Sequence, residues 1–402
     1  MTHSSMPHIP VPTIYRNTVI GPLRDGSNKY ELHFGASPSD VKLSHYRQSS
    51  QGIVDIAVQS DLLPEESSNI ELVEYPVIYG GPIFYHFGHF IAESIHRIYA
   101  KHQFNKFKNC KIAFHASGSK KRDLLPWMVS VLKVLGIKSK DVLLIDKPIR
   151  FSTLVVPKPG RILGGRNLFQ DYNSLFPLAP IKISPQNAAK ILYVSRSEHI
   201  FSGGYLGEAL VEDILEEHGV RVVRPESLPL SDFLSLFLQA EKIIASEGSA
   251  IHNLELCGKT NVEIFLIARR SGAKARFQSV LENLTDRSVI FEQMNSGVAL
   301  EWDWKKNTAS RSRAVSFVDI PALLQSISEF SNIQFSSVHP SVIRTHILAD
   351  LARYLLDART TRSQTTSHEQ LGKLFELFRE SGQKNLNFAC GLEDNEHPLN
   401  SI

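Results

Sequence analysis

Five side chains between positions 86 and 97 can move protons or hold charge: His86, His89, Glu93, His96 and Arg97. The segment Tyr85–Phe104 reads as one helix. At about 100° per residue all five fall within one arc, with Phe87, Ile91, Ser94, Ile95 and Ile98 opposite. Solvated helix faces favour Lys and Glu, so histidines gathered on one face point to proton transfer or ligand contact near neutral pH. A plain solvated face is the competing reading. A metal is the third, since His89 and Glu93 stand one helical turn apart, but a His-Glu-x-x-His signature is missing.

A second set of residues falls at strand ends. The apolar run Lys242-Ile243-Ile244 leads into Ala245-Ser246-Glu247-Gly248-Ser249-Ala250-Ile251-His252-Asn253. A buried strand that turns at once into a helix leaves backbone N–H groups, here at Gly248, Ser249 and Ala250, free to hold an anion such as phosphate. Glu247 is harder to place there: it repels phosphate unless it binds a sugar hydroxyl or acts as a base. His252 and Asn253 fall in the first helical turn, and His252 suits the core as well as a ligand. Upstream, Ser195-Arg196 closes the run Ile191–Val194. An arginine at a strand's carboxyl end can grip a diphosphate bidentately, or form a surface salt bridge. Glu226, just past Val220–Val223, can accept from ribose hydroxyls or cap the next helix.

The elements that must carry these residues alternate. A strand over Val73–Tyr79, stopping at Gly80-Gly81-Pro82, precedes the histidine helix; strand Lys111–His115, helix Asp123–Leu135 and strands Val142–Ile145 and Thr153–Val156 follow. The second series is cleaner: strand Ile191–Ser195, helix Leu206–Glu217, strand Val220–Val223, helix Ser231–Ala240, strand Lys242–Ala245, helix Ala250–Cys257 and strand Val262–Ile267. Such alternation specifies parallel βαβ units, whose ligands bind at the carboxyl ends of the strands. Before residue 75 the pattern is irregular, with a candidate strand at Ile53–Val58 and a polar connection Pro64–Asn69. After Ile320 it turns helical, and Thr360–Ser367 separates two amphipathic stretches, Val342–Leu356 and Glu369–Arg379.

At 402 residues, 42% apolar and 21% charged, the chain suits two domains and an appendage. Its formal charge of +3 is spread along the sequence, which argues against nucleic acid as a partner. Met1–His8 lacks the apolar core of a signal peptide and no run of about 18 apolar residues occurs, so a cytosolic protein is expected. The three cysteines, Cys110, Cys257 and Cys390, fit neither a disulfide framework nor a zinc knuckle, and are expected to be reduced and structural.

Taken in order, the three motif segments resemble glycosyltransferase family 61, found among surface-polysaccharide genes of bacteria and in eukaryotic glycosylation. Gly88-His89-Phe90-Ile91-Ala92-Glu93 is similar to the family's Gly-His-Phe-x-x-Glu helix, and Ser195-Arg196 to its Ser-Arg pair. Ser246–Asn253 matches its small-x-His-Gly-Ala-x-x-Thr-Asn turn in part: Glu247 replaces the histidine, Ser249 the alanine and His252 the threonine. The family's Asn-Glu after Ser-Arg is missing, and Phe201-Ser202-Gly203-Gly204 stands near its place.

The resemblance implies an α/β, GT-B-like architecture of two Rossmann-like domains facing a cleft. The acceptor side is expected over 1–180, the nucleotide-sugar side over 181–330, and a C-terminal helical extension over 331–402. It implies inverting transfer from a nucleotide-sugar donor to a glycan or glycolipid acceptor of capsule, lipopolysaccharide or exopolysaccharide type, with no metal and no cofactor, in keeping with the lack of an Asp-x-Asp motif. His89 or Glu93 is then the expected base, with Glu247 as the competing carboxylate. Arg196, Glu226, Gly248, Ser249, Ala250, His252 and Asn253 are expected on the donor, and His86, His96 and Arg97 on the acceptor side. Homodimers, and peripheral docking at the inner membrane face through Lys120-Lys121-Arg122, are compatible with this reading. The C-terminal helices are free to cross back onto the first domain, dimerise or hold a partner. Two other functions fit the same elements: a non-catalytic nucleotide-sugar-binding protein, and a dinucleotide-dependent oxidoreductase, which lacks its Gly-x-Gly-x-x-Gly turn here.

Overall fold

The structure, a computed structural model, describes residues 8–25, 31–49, 51–62, 70–116, 123–183, 189–298, 302–303, 308–309, 315–361 and 384–391. Pro64–Asn69, Lys120–Arg122, most of Thr360–Ser367 and all of Glu369–Arg379 lie outside the described residues. The chain divides into two compact units, Met1–Lys182 with His252–Thr260, and Ile183–Ile251 with Asn261–Ile402.

The first unit is built on one mixed sheet. Its strands are β1 (Thr13–Ile20), β2 (Arg24–Asp25), β3 (Leu32–Ser37), β6 (Ala57–Leu62), β7 (Glu71–Val73), β8 (Val77–Ile83), β9 (Lys111–Ala116), β10 (Val142–Ile145) and β11 (Ile149–Val156), while β4 (Tyr46–Ser49) and β5 (Gly52–Asp55) form a separate hairpin. The spatial order is β10-β9-β8-β11-β1-β3-β2, with β6 beside β3 and β7 beside β11. Strands β8 to β11 run parallel, and β1 closes antiparallel onto β11. The irregular stretch before residue 75 thus belongs largely to the same sheet, and the expected strand Ile53–Val58 is two strands.

Two expectations fail in this unit for physical reasons. Strand β8 does not stop at Gly80-Gly81-Pro82 but runs through it, with its register to β9 shifting between Tyr79 and Gly81. Glycine is needed at both positions. A Cβ on Gly80 would stand 2.5 Å from the Phe114 ring, and one on Gly81, whose φ is +101°, would stand 2.6 Å from the Arg97 guanidinium. The expected helix Tyr85–Phe104 is also broken. A short helical turn at Phe87–His89 widens into a π-turn over Phe90–Ser94, and regular helix resumes only at Tyr99–Gln103. A π-turn inserts extra residues per turn, so positions before and after it no longer share an arc. Glu93, His96 and Arg97 are consequently buried, while the His89 side chain remains 41% exposed.

The second unit carries a fully parallel sheet. Its strands are β14 (Ile191–Val194), β15 (Arg221–Val223), β16 (Lys242–Ser246), β17 (Glu263–Ile267) and β18 (Ser288–Phe291), after the small first-unit hairpin of β12 (Arg161–Ile162) and β13 (Arg166–Asn167). The order is β15-β14-β16-β17-β18, every pair parallel. Chain order therefore reverses between β14 and β16, and at such a switch point an open α/β sheet leaves a crevice at its strand ends. Helices Glu208–Glu217, Leu230–Gln239 and Ala273–Leu284 connect the strands. The expected helix Ala250–Cys257 is instead a 3-10 helix over Ser249–Leu256.

The C-terminal helices Ile320–Ser331 and Pro340–Thr361 fall within the second unit. Ile343, Ile347, Leu351, Tyr354, Leu386 and Ala389 share one core with Tyr205, Leu206 and Ile244 of the parallel sheet's unit. Asp350 anchors the contact by accepting from the Gly207 N–H at 2.8 Å, where φ of +87° suits glycine. All three cysteines are buried and free. Among the described residues no helix is long and apolar enough to cross a membrane.

Candidate active site

Because β14 and β16 are adjacent and parallel, with Val194 opposite Ala245, the chain leaves both strands at one level. Arg196 and Gly248 meet there. The Arg196 Nε and Nη2 donate to the Gly203 carbonyl at 3.2 and 3.1 Å, its backbone N–H donates to Glu208 Oε1 at 2.9 Å, and Nη1 lies in the space a Gly248 side chain would need. Ser249 and Ala250, half-buried, open the 3-10 helix beside this turn.

Three further arginines converge on the same strand ends: Arg269 and Arg270, which follow β17, and Arg276 in the next helix. Glu247 organises them. Its Oε2 accepts from the Arg269 N–H at 3.0 Å, and its Oε1 from Arg270 at 2.9 and 2.6 Å and from Arg276 at 3.3 Å. Burial opposes ionisation of this carboxyl, yet the Arg270 charge, with the Arg269 amide and charge, outweighs it and holds Glu247 below the usual carboxylate range. This corrects its expected role, because a fully buried carboxylate with both oxygens occupied can neither take a proton nor reach a sugar. Glu247 alone does not balance four guanidinium groups, and Glu208 and Glu226 add their attraction only at Arg196. Burial, then the neighbouring Arg270 and Arg196 charges, push Arg269 down to about 9, so an anion here would relieve crowded cations. Sequence reading missed Arg269, Arg270 and Arg276, although Ala268-Arg269-Arg270-Ser271-Gly272 after an apolar strand was a visible signal.

The other donor-side candidates are placed differently. Glu226 sits in a 3-10 turn past β15 and pairs with His199 at 3.4 Å. His252 turns its Nδ1 to Glu255 at 2.6 Å, and Asn253 is buried with its Oδ1 unpartnered. Both lie in the part of the chain that belongs to the first unit.

In the first unit Glu93 is a hub. It accepts from Arg47 Nε at 2.7 Å and Nη2 at 3.1 Å, from His45 Nε2 at 3.0 Å and from His89 Nδ1 at 2.6 Å. Burial raises the cost of its charge, but the hydrogen bonds from His45, His89 and Arg47 prevail and hold it far below the usual range. An ionised carboxylate only accepts, so His89 carries a proton on Nδ1 and turns Nε2 away from Glu93. Burial keeps His45 neutral, since Arg97 and Arg47 add to desolvation what Glu93 only partly opposes. His86 packs edge-on to His89, with ring centroids 5.2 Å apart. His45 and Arg47, from the β4 hairpin region, were missed in sequence because nothing in their spacing links them to Glu93.

The expected acceptor contacts of His96 and Arg97 are corrected by their burial. His96 Nδ1 bonds to the Tyr172 hydroxyl at 2.8 Å, and desolvation, aided by the Arg161 charge, drives its pKa down to about 3, so it is neutral. Arg97 donates to the Pro157 carbonyl at 3.1 Å and to the Ser44 carbonyl, under the Tyr79 ring. It thereby braces the loop carrying His45 and the connection after β11. Arg161, in that connection, pairs at 2.5 Å with Glu255, whose carboxyl burial would raise but which His252 and Arg161 bring down to about 2. Among the described residues, no group of three or more His, Cys, Asp or Glu is arranged to hold a metal ion.

Residues 87–262, from the turn bearing His89 to the strand after the Gly248 turn, match the family model described as glycosyltransferase 61. That span of the chain is similar to glycosyltransferase family 61. The matched span leaves out His45, Arg47 and the arginines at 269, 270 and 276. No curated protein matches this chain. Similar solved structures include the dodecameric iron-containing heptosyltransferase TibC in complex with ADP-D-β-D-heptose, at 14% identity and a TM-score of 0.29 over 69% of this chain and 78% of that one. A second is the dodecameric glycosyltransferase TibC from enterotoxigenic E. coli H10407, at 14% identity and a TM-score of 0.28 over 70% and 79% of the two chains.

Proposed function

We propose that this chain is an inverting, metal-independent glycosyltransferase that moves a sugar from a nucleoside-diphosphate donor to a hydroxyl of a surface glycan or glycolipid. The observation that carries the reading is the convergence of Arg196, Arg269, Arg270 and Arg276 with the Gly248 turn at the carboxyl ends of the second unit's strands. Labour is divided in GT-B fashion, with the donor on the second unit and the acceptor on the first. The acceptor oxygen attacks the anomeric carbon as the bond to the diphosphate oxygen breaks, and the hydroxyl proton passes to His89 Nε2. Glu93 holds the imidazole's tautomer and offsets the charge that forms on it. The charge developing on the departing diphosphate falls to the guanidinium groups and the backbone N–H groups of Ser249 and Ala250. Metal independence follows from this: fixed cations do what Mn²⁺ does where a metal holds the diphosphate. A cytoplasmic location, at the membrane's inner face when the acceptor is lipid-linked, completes the reading.

A transfer assay over a panel of UDP-, GDP-, dTDP- and ADP-sugars tests it, with a CMP-sugar as the monophosphate control and EDTA present throughout. Turnover with one donor, lost in Arg196→Ala at unchanged thermal stability, is the expected result. Full activity of that variant would overturn the assignment of the donor site.

A further inference from the structure

Glu208 opens the helix after the Arg196 loop, is fully buried, and takes no part in the chemistry above. One of its oxygens, Oε1, accepts from the Arg196 N–H at 2.9 Å, the Tyr193 hydroxyl at 2.9 Å and the Ser246 hydroxyl at 2.5 Å. Tyr193 lies in β14 and Arg196 just beyond it; Ser246 ends β16, two residues before Gly248. We propose that Glu208 is a positioning residue of the donor site, a buried carboxylic acid that ties the ends of β14 and β16 together and supports anion binding in its protonated form. The proposal rests on the reading of Arg196 and the Gly248 turn as the diphosphate site.

The surroundings favour the neutral acid. The hydrogen-bond donors are two hydroxyls and an amide, none of them a cation. Burial is the largest influence and raises the carboxyl to about 7; the Ser246 and Arg196 bonds pull it back, and Glu212, one turn along the helix, adds to the rise. Facing it from other elements are Tyr193 and Tyr205, whose hydroxyls bond at 2.7 Å, the Arg196 charge, and Asp350 at the neighbouring Gly207. Ionising Glu208 places a negative charge beneath the bound diphosphate and pairs it with Arg196, drawing on the attraction that the ligand would otherwise receive.

Binding of inorganic pyrophosphate, a base-independent probe, by calorimetry at about pH 6 and about pH 8.5 tests this on the full chain. Comparing variants at each pH cancels the probe's own titration. Glu208→Gln, which keeps the acceptor oxygen but cannot ionise, should match wild type at the lower pH and bind roughly fivefold tighter at the higher. Glu208→Ala should bind about tenfold more weakly at both. An equal Glu208→Gln to wild-type ratio at the two pH values overturns the proposal, and Glu208→Gln carries the test alone where Glu208→Ala fails to fold. Arg196→Ala separates the two ideas: if it binds as wild type does, the donor-site reading fails, and if it loses binding while the ratio stays flat, only the role of Glu208 fails.

Discussion

The guanidinium of Arg196 fills the space that a side chain on Gly248 would occupy. The two residues leave neighbouring parallel strands on either side of the switch point, so the contact is a consequence of sheet order as much as of their identities. Glycine at 248 is required by this close approach, since its backbone does not adopt a left-handed conformation.

Gly248→Ala should therefore behave as an arginine-displacing variant. The Cβ forces the Arg196 head group aside while the strands and their core stay packed. Affinity for the nucleoside diphosphate should fall about 10- to 100-fold, with the thermal midpoint moving by only a few degrees, on the order of 1 kcal/mol. Calorimetric titration beside a melting curve checks both, and undiminished affinity would remove Arg196 from the donor site.

His89→Ala should lower kcat by about 10² to 10⁴ with nucleotide affinity unchanged, the signature of a lost general base. Glu93→Gln should do something different, because Glu93 is buried and bonded to two groups besides His89. Leaving Arg47 and His45 without their carboxylate should destabilise the protein by roughly 3–5 kcal/mol. The pH dependence has a definite sign. Glu93 titrates lower in the folded chain than in the unfolded one, so its contribution is present above the ordinary carboxylate value of 4.5 and is lost as pH falls toward the folded value. Urea unfolding of wild type and Glu93→Gln at about pH 7 and pH 4 should show their difference shrinking in acid.

How much of this was legible in sequence follows from burial. Strands β14, β16 and β17 are covered on both faces and read as short apolar runs, so their limits were placed to within a residue or two. Strand β1 is exposed over Thr13, Ile14, Arg16 and Asn17, and its mixed pattern hid it. The histidine segment misled because helical periodicity assumes a constant angle, which the π-turn at Phe90–Ser94 resets. Glu247 misled because its partners stand 22 to 29 residues downstream, too far for any local pattern to connect. Local chemistry at strand ends was readable; the partners that decide each charge's role were not.

Glu247 separates a structural carboxylate from a catalytic one. Glu247→Gln should lower stability by about 3–5 kcal/mol, since it leaves buried Arg269 and partly buried Arg270 uncompensated. Arg270→Ala should leave the fold largely intact, as Glu247 keeps Arg276 and the Arg269 N–H, but weaken nucleoside diphosphate binding about tenfold. Urea unfolding and calorimetry distinguish the two; a Glu247→Gln protein as stable as wild type would show that the arginines need no carboxylate between them.

Glu208 predicts the opposite pH trend from Glu93 in the same molecule. Its folded value of about 7 lies above its ordinary value of 4.5, so the unfolded chain releases this proton first as pH rises. The stabilising contribution is complete below about pH 4.5 and is lost progressively as pH passes through about 7, a change on the order of 3 kcal/mol for a shift of this size. Glu208→Gln cannot ionise, so it should cost little at about pH 5 and gain on wild type by about pH 8. Denaturant unfolding at the two pH values measures the crossover. A wild-type protein that keeps its full margin over Glu208→Gln at the higher pH would mean that the three donors on Oε1 outweigh burial, and that an ionised carboxylate is what holds β14 to β16.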